Sequence, residues 1–106
     1  MKTKDRSVNV KDIKQVLKDY FVLIEDIVKR VEGNSYEITI TSGKDGKHSK
    51  NSLHYDGLAI DIRTRDMKNI KEVVKQLKRS LDYVLDIVLE KDHIHIEYDP
   101  KYTNNI

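Results

Sequence analysis

A long amphipathic stretch near the start most constrains how this chain can fold. From Val10 to Val31 the apolar residues recur every three or four positions, which is the spacing of one helix face. Gly33 then supplies a helix stop. A second stripe runs from Ile70 to Leu81, with Thr64 or Asp66 as candidate caps. Two helices with one apolar face each must bury those faces against another layer.

The other layer is predicted to be a β-sheet, because the remaining apolar residues alternate with polar ones. Strands are predicted at 36–41, 58–64, 83–89 and 93–98, and the last two form a hairpin. The residues expected to face the core are Tyr36, Ile38, Ile40, Leu58, Ile60, Ile62, Ile94, Ile96 and Tyr98. The order helix, strand, strand, helix, hairpin predicts an α+β fold, with a mainly antiparallel sheet and helices packed on one face.

Length and composition limit what the chain can hold. Its 106 residues favour one domain, 1–106, and we expect a monomer. The 20 basic and 18 acidic residues are interspersed, which favours a mixed surface over a nucleic-acid-binding stripe. No apolar run reaches the roughly 18 residues of a membrane span. The opening MKTKDRSVNV lacks the apolar region of a signal peptide, so we expect synthesis in the cytoplasm.

The chemistry-bearing residues are histidines and acids, because the chain has no cysteine. All four histidines lie outside the predicted helices, and the alternation in HIHIEY places His93, His95 and Glu97 opposite the core. Asp61 lies on the polar face of its strand, seven residues after His54. Two imidazoles and one carboxylate form the ligand set of a catalytic zinc site, and they also suit non-haem iron. The alternative is an ordinary polar sheet surface.

A sequence motif raises the case for zinc. The stretch SLHYDGLAID, Ser52 to Asp61, resembles the S-x-H-x-x-G-x-A-x-D signature of the zinc D-Ala-D-Ala peptidases. It is closer still to the corresponding stretch of hedgehog signalling domains. ITSG at 40–43, DGKHS at 45–49 and the downstream HIH extend the resemblance in the order found in those families. The resemblance covers residues 37–99 and implies a fold of the hedgehog and D,D-peptidase type.

The resemblance implies a role for each matching residue. His54, Asp61 and His95 would bind zinc (Zn2+), and His93 would either hold a metal ligand in place or stabilise the transition state. Ser52 and His48 would lie on the substrate side of the metal.

Two carboxylates are candidates for the general base. Asp92 has the peptidase spacing, three residues before the last ligand, and Glu90 is near the position used in hedgehog-like sequences. Either could take a proton from water at the metal. The sequence departs from the peptidases in the KDGK stretch, where an arginine often grips the substrate carboxylate, and Lys44 or Lys47 would bind the substrate in its place. Lysine lacks the bidentate fork of arginine, so recognition of a terminal carboxylate is expected to be weak.

The function implied by the resemblance is that of a zinc metallopeptidase. Its substrates would be peptidoglycan stem peptides, cleaved as a D,D-carboxypeptidase or an L,D-endopeptidase would cleave them. Without a signal peptide, access to the cell wall would require release by lysis, as in a phage or prophage product. The alternative is a non-catalytic zinc-binding interaction domain of hedgehog type. The presence of both candidate bases favours the enzyme, and a nucleic-acid-binding role lacks a basic stripe or stacking aromatics.

Overall fold

The fold is a mixed sheet with helices, seen in a computed structural model that describes residues 1–45 and 52–99. Its elements are β1 (Lys2–Thr3), α1 (Gln15–Lys18), α2 (Phe21–Glu32), β2 (Thr39–Ser42), β3 (Ala59–Arg63), α3 (Ile70–Leu81), β4 (Leu85–Leu89) and β5 (His93–Tyr98). The five strands lie in the order β1-β2-β3-β5-β4. Only β1 and β2 among these strands pair in parallel, so the predicted α+β fold with a mainly antiparallel sheet is confirmed.

One hydrophobic core joins the sheet to the helices. Strand alternation sends Ile60, Ile62, Ile94 and Ile96 to one face, and each is fully buried. The helical residues in the same cluster are Leu17, Ile24, Ile27, Val28, Val73, Leu77 and Leu81. The core side of β3 and β5 is therefore fixed, and the intervening residues of both strands must face the opposite side.

The first predicted helix is shorter than the apolar spacing indicates. It does not begin at Val10, because Lys14 is extended and its N–H donates to the Gly57 carbonyl at 2.9 Å. The helix also divides between α1 and α2 near Tyr20. Long-range backbone hydrogen bonds thus take the residues before α1 out of the helix and hold them against the turn that precedes β3.

The edge strand β1 and its neighbour β2 also differ from the sequence prediction. The predicted strand 36–41 is displaced to 39–42, and the hydroxyl of Tyr36 instead donates to Asp66 at 2.8 Å. The strand β1 was not predicted, because two residues are too few to show an alternating pattern. Within the described ranges, every helix is too short or too polar to cross a membrane.

Candidate metal centre

The turn before β3 carries His54 into the protein interior. The side chain of His54 is only 2% exposed, and its backbone N–H donates to the Ser52 hydroxyl at 3.2 Å. Gly57 closes the turn with a φ of 69°, a left-handed conformation that glycine adopts at little cost. The His54 Nδ1–H donates to the Gly43 carbonyl at 2.7 Å. A carbonyl can only accept, so the neutral form of His54 carries its lone pair on Nε2, on the other side of the ring.

Strand pairing brings Asp61 and His95 together on the face away from the core. Asp61 on β3 is the direct cross-strand partner of His95 on β5. The Asp61 Oδ1 and His95 Nδ1 atoms lie 3.0 Å apart. Asp61 is 7% exposed, and a carboxylate this deeply buried normally has a paired partner, which here is supplied by imidazoles.

The three side chains converge on a single point. His54 Nε2 lies 3.2 Å from Asp61 Oδ1 and 3.2 Å from His95 Nδ1. These three atoms are close enough together to bind one metal ion. Ligand atoms around a tetrahedral zinc ion, with bonds of about 2.0–2.1 Å, lie about 3.3 Å from one another. The side lengths of the triangle therefore fit a first-row metal such as zinc.

The carboxylates of the centre stabilise positive charge on the atoms beside them. Burial alone would lower the pKa of His95, but hydrogen bonds with Asp61 and Glu97 outweigh it and raise this pKa to about 8. Burial likewise opposes ionisation of Asp61, yet hydrogen bonds with His54 and His95 hold its pKa well below the usual range. The carboxylate of Asp61 thus persists in a buried place where it needs positive charge beside it.

The remaining histidine of β5 lies next to the centre rather than in it. His93 Nε2 is 3.7 Å from Asp61 Oδ1, and the His93 side chain is 28% exposed. Its Nδ1–H donates to Asp92 at 2.6 Å, and this hydrogen bond is the largest cause that lowers the Asp92 pKa. Asp92 is 83% exposed. An imidazole held by a carboxylate on one side has its other nitrogen directed at the centre.

A shallow groove of about 540 Å³ borders His95, the one residue of the triangle that lines it. The described residues that line it are Ser52, Leu53, Val88, Glu90, His95, Glu97 and Asp99. Ser52 and Glu90, both singled out from the sequence, therefore line the same groove as His95. Lys44 is exposed next to the Gly43 turn and does not line this groove, and His48 and Lys47 lie outside the described residues.

Sequence reasoning missed two groups that contact the ligand imidazoles. Gly43 contributes its carbonyl to His54, and Glu97 accepts from His95 Nε2–H at 2.6 Å. A backbone carbonyl has no sequence signature. The alternation in HIHIEY does place Glu97 on the ligand face, and this was the available signal.

Substituting Gly43 with alanine is expected to weaken zinc binding by about 10-fold or more, because partners that orient metal-bound histidines typically contribute that much. A Cβ at position 43 would lie 2.3 Å from the Asn9 carbonyl oxygen, so the turn and its contact with His54 must shift. Overpacking of this kind also lowers the free energy of unfolding by about 1–3 kcal/mol. Zinc titration and thermal unfolding measure the two effects.

Gly33→Ala is the matched control for that substitution. Its φ of 111° makes alanine strained, but nothing lies within 4 Å of the added Cβ. This variant should lose stability and keep its zinc affinity. Equal zinc affinities for Gly43→Ala and the unsubstituted protein would show that the Gly43 carbonyl does not orient His54.

Comparison with known protein families agrees with this geometry. The family model of the hedgehog amino-terminal signalling domain matches residues 2–97. A search of curated proteins found no match. The hedgehog family lies in the same clan as the zinc peptidases of D-Ala-D-Ala-peptidase type. Because the match spans nearly all of its 106 residues, the chain belongs to the hedgehog amino-terminal signalling domain family.

Proposed function

We propose that the chain is a zinc-dependent hydrolase that cleaves peptide bonds in peptidoglycan stem peptides. The observation that carries the proposal is the triangle of His54, Asp61 and His95, with sides of 3.0–3.2 Å. The groove borders His95, and we propose that substrate approaches the centre past this residue. Three protein ligands with one open position are characteristic of catalytic zinc sites.

The three ligands would hold the metal. A bound zinc ion supplies Lewis acidity, which polarises a carbonyl and makes water more acidic. As ligands, His54 and His95 would be neutral imidazoles, and the acceptor on the far side of each ring would hold its remaining N–H. Asp61 contributes the single negative charge of the ligand set.

We propose that His93 transfers protons, assisted by Asp92 or Glu90. In the structure Asp92 holds His93 Nδ1–H, so the His93 Nε2 lone pair can accept a proton from water near the centre. The protonated ring, stabilised by Asp92, can then hydrogen-bond to the developing oxyanion and give its proton to the leaving amine as the C–N bond breaks. Glu90, which lines the groove with His95, is the competing base.

The choice of peptidoglycan rests on the motif shared with the D-Ala-D-Ala peptidases. We expect cleavage of internal bonds to exceed cleavage of the terminal D-Ala-D-Ala bond, since Lys44 and Lys47 replace an arginine that would grip a terminal carboxylate. Access to the wall would follow lysis-type release in a phage or prophage setting, and the protein would act as a monomer.

The zinc-loaded protein should release fragments from purified stem peptides, and chelation should stop the release. Mass spectrometry of the digest identifies the bond that is cleaved. Adding zinc back after chelation should restore cleavage, and Asp61→Ala, prepared in parallel, controls for contaminating peptidases. A protein that contains one zinc per chain and releases nothing would contradict the hydrolase.

The second candidate is a non-catalytic domain that keeps zinc for structure and binds a protein partner. The match to a signalling domain favours it. It needs the three ligands but neither Asp92 nor Glu90. Zinc that stabilises the fold without any turnover of peptides is the result expected from this candidate.

A further inference from the structure

We infer that Glu97 is a positioning residue of the metal centre and acts on the metal through His95. The inference deepens the proposed function and rests on it only in requiring that His95 binds a metal ion. Glu97 follows His95 by two positions on β5, so both side chains project from the same face of the sheet. The His95 Nε2–H donates to Glu97 Oε1 at 2.6 Å.

This hydrogen bond selects the tautomer that can bind a metal through Nδ1. A neutral imidazole carries its proton on one nitrogen and a lone pair on the other. If His95 carried the proton on Nδ1, an N–H would point at Asp61 and occupy the ligand position. An ionised carboxylate only accepts, so Glu97 favours the proton on Nε2 and leaves the Nδ1 lone pair toward the centre.

The two ligand imidazoles are thus fixed in the same way by different groups. Gly43 holds the far nitrogen of His54 through a backbone carbonyl, and Glu97 holds the far nitrogen of His95 through a carboxylate. The carboxylate also makes the imidazole a stronger electron donor to a metal ion. Because Glu97 is only 22% exposed, water competes weakly for this bond.

The position of Glu97 also offers an internal control. Asp86 on β4 is its direct cross-strand partner, and the two carboxylates form one acidic group with Asp99. Asp86→Asn and Glu97→Gln each remove one negative charge from the same patch. Only the change at 97 alters the group that accepts from His95 Nε2. Comparison of the two variants therefore separates the hydrogen bond from the general charge of the patch.

Zinc affinity of the full chain tests the inference, measured by titration against a competing chelator. Glu97→Ala should weaken zinc binding about 10- to 100-fold, as loss of a carboxylate partner of a metal-bound histidine typically does. Glu97→Gln should fall between Glu97→Ala and the unsubstituted protein, because its amide oxygen still accepts but carries no charge. Asp86→Asn should change the affinity much less than either.

Nitrogen-15 NMR of the metal-free protein provides a second readout that does not depend on any variant folding. At a pH above the pKa of His95, we expect the proton on Nε2 of His95 and on Nδ1 of His54. A His95 proton on Nδ1, or equal affinities for Glu97→Ala and Asp86→Asn, would overturn the inference while leaving the zinc hydrolase intact. Absence of zinc binding by the unsubstituted protein would overturn both.

Discussion

Replacing Asp61 with alanine should reduce zinc affinity by more than about 100-fold, beyond the loss typical of residues that only orient a ligand. Asp61 supplies the sole negative charge among the three converging ligands, and its Oδ1 is within 3.2 Å of both imidazole ligand atoms. Without it, two neutral imidazoles remain. Elemental analysis of protein purified without chelator should show one zinc per chain before the change and little after it. His54→Ala and His95→Ala should behave alike.

His93→Ala is the control for these substitutions. It removes an imidazole from the same face of β5, but His93 Nε2 is 3.7 Å from Asp61 Oδ1 and lies outside the triangle. Zinc content should fall far less than in the ligand variants. Circular dichroism of each metal-free variant checks that the fold persists. Full zinc retention in the three ligand variants would refute the metal centre.

Asp92→Asn should lower the turnover of stem peptides by about 100- to 10,000-fold and leave zinc content unchanged, which is the range typical of general acid-base groups. In the structure Asp92 accepts from His93 Nδ1–H at 2.6 Å. An asparagine amide can donate to Nδ1 instead, which would place the imidazole proton on Nε2 and block its lone pair. Fragment release at saturating substrate, measured by mass spectrometry, gives the change in kcat.

Glu90→Gln tests the competing base. Glu90 N–H donates to the His93 carbonyl at 2.9 Å, so Glu90 lies opposite His93 across the hairpin, and its side chain lines the groove. We expect this variant to lose less activity than Asp92→Asn. The reverse ranking would assign proton transfer to Glu90, in agreement with the hedgehog-like spacing. If both variants lose only a little activity, neither carboxylate is needed for proton transfer by His93.

The alternating strands of the site could be predicted from sequence because burial imposes their period. Ile60 and Ile62 had to face the core, which sent Asp61 to the other side, and the same reasoning placed His95. That Asp61 and His95 are direct partners could not be read from the pattern, since period two does not fix the register between strands. The motif around His54 supplied the link.

The parts that could not be predicted depend on backbone groups distant in sequence. The helical spacing from Val10 predicted a helix start that the Lys14 to Gly57 hydrogen bond prevents. The contact of Gly43 with His54 is made by a main-chain carbonyl, which any residue possesses. The alternation placed Glu97 on the correct face. Its hydrogen bond with His95 could not be predicted, because that bond depends on how the His95 ring is oriented.

The alternation along β5 has a consequence for how such domains diverge. Ile94 and Ile96 belong to the core, while His93, His95 and Glu97 belong to the opposite face. Substitutions on the two faces touch different neighbours, so their effects on folding and on chemistry should be largely additive. A lineage can therefore exchange catalytic side chains one at a time without repacking its interior.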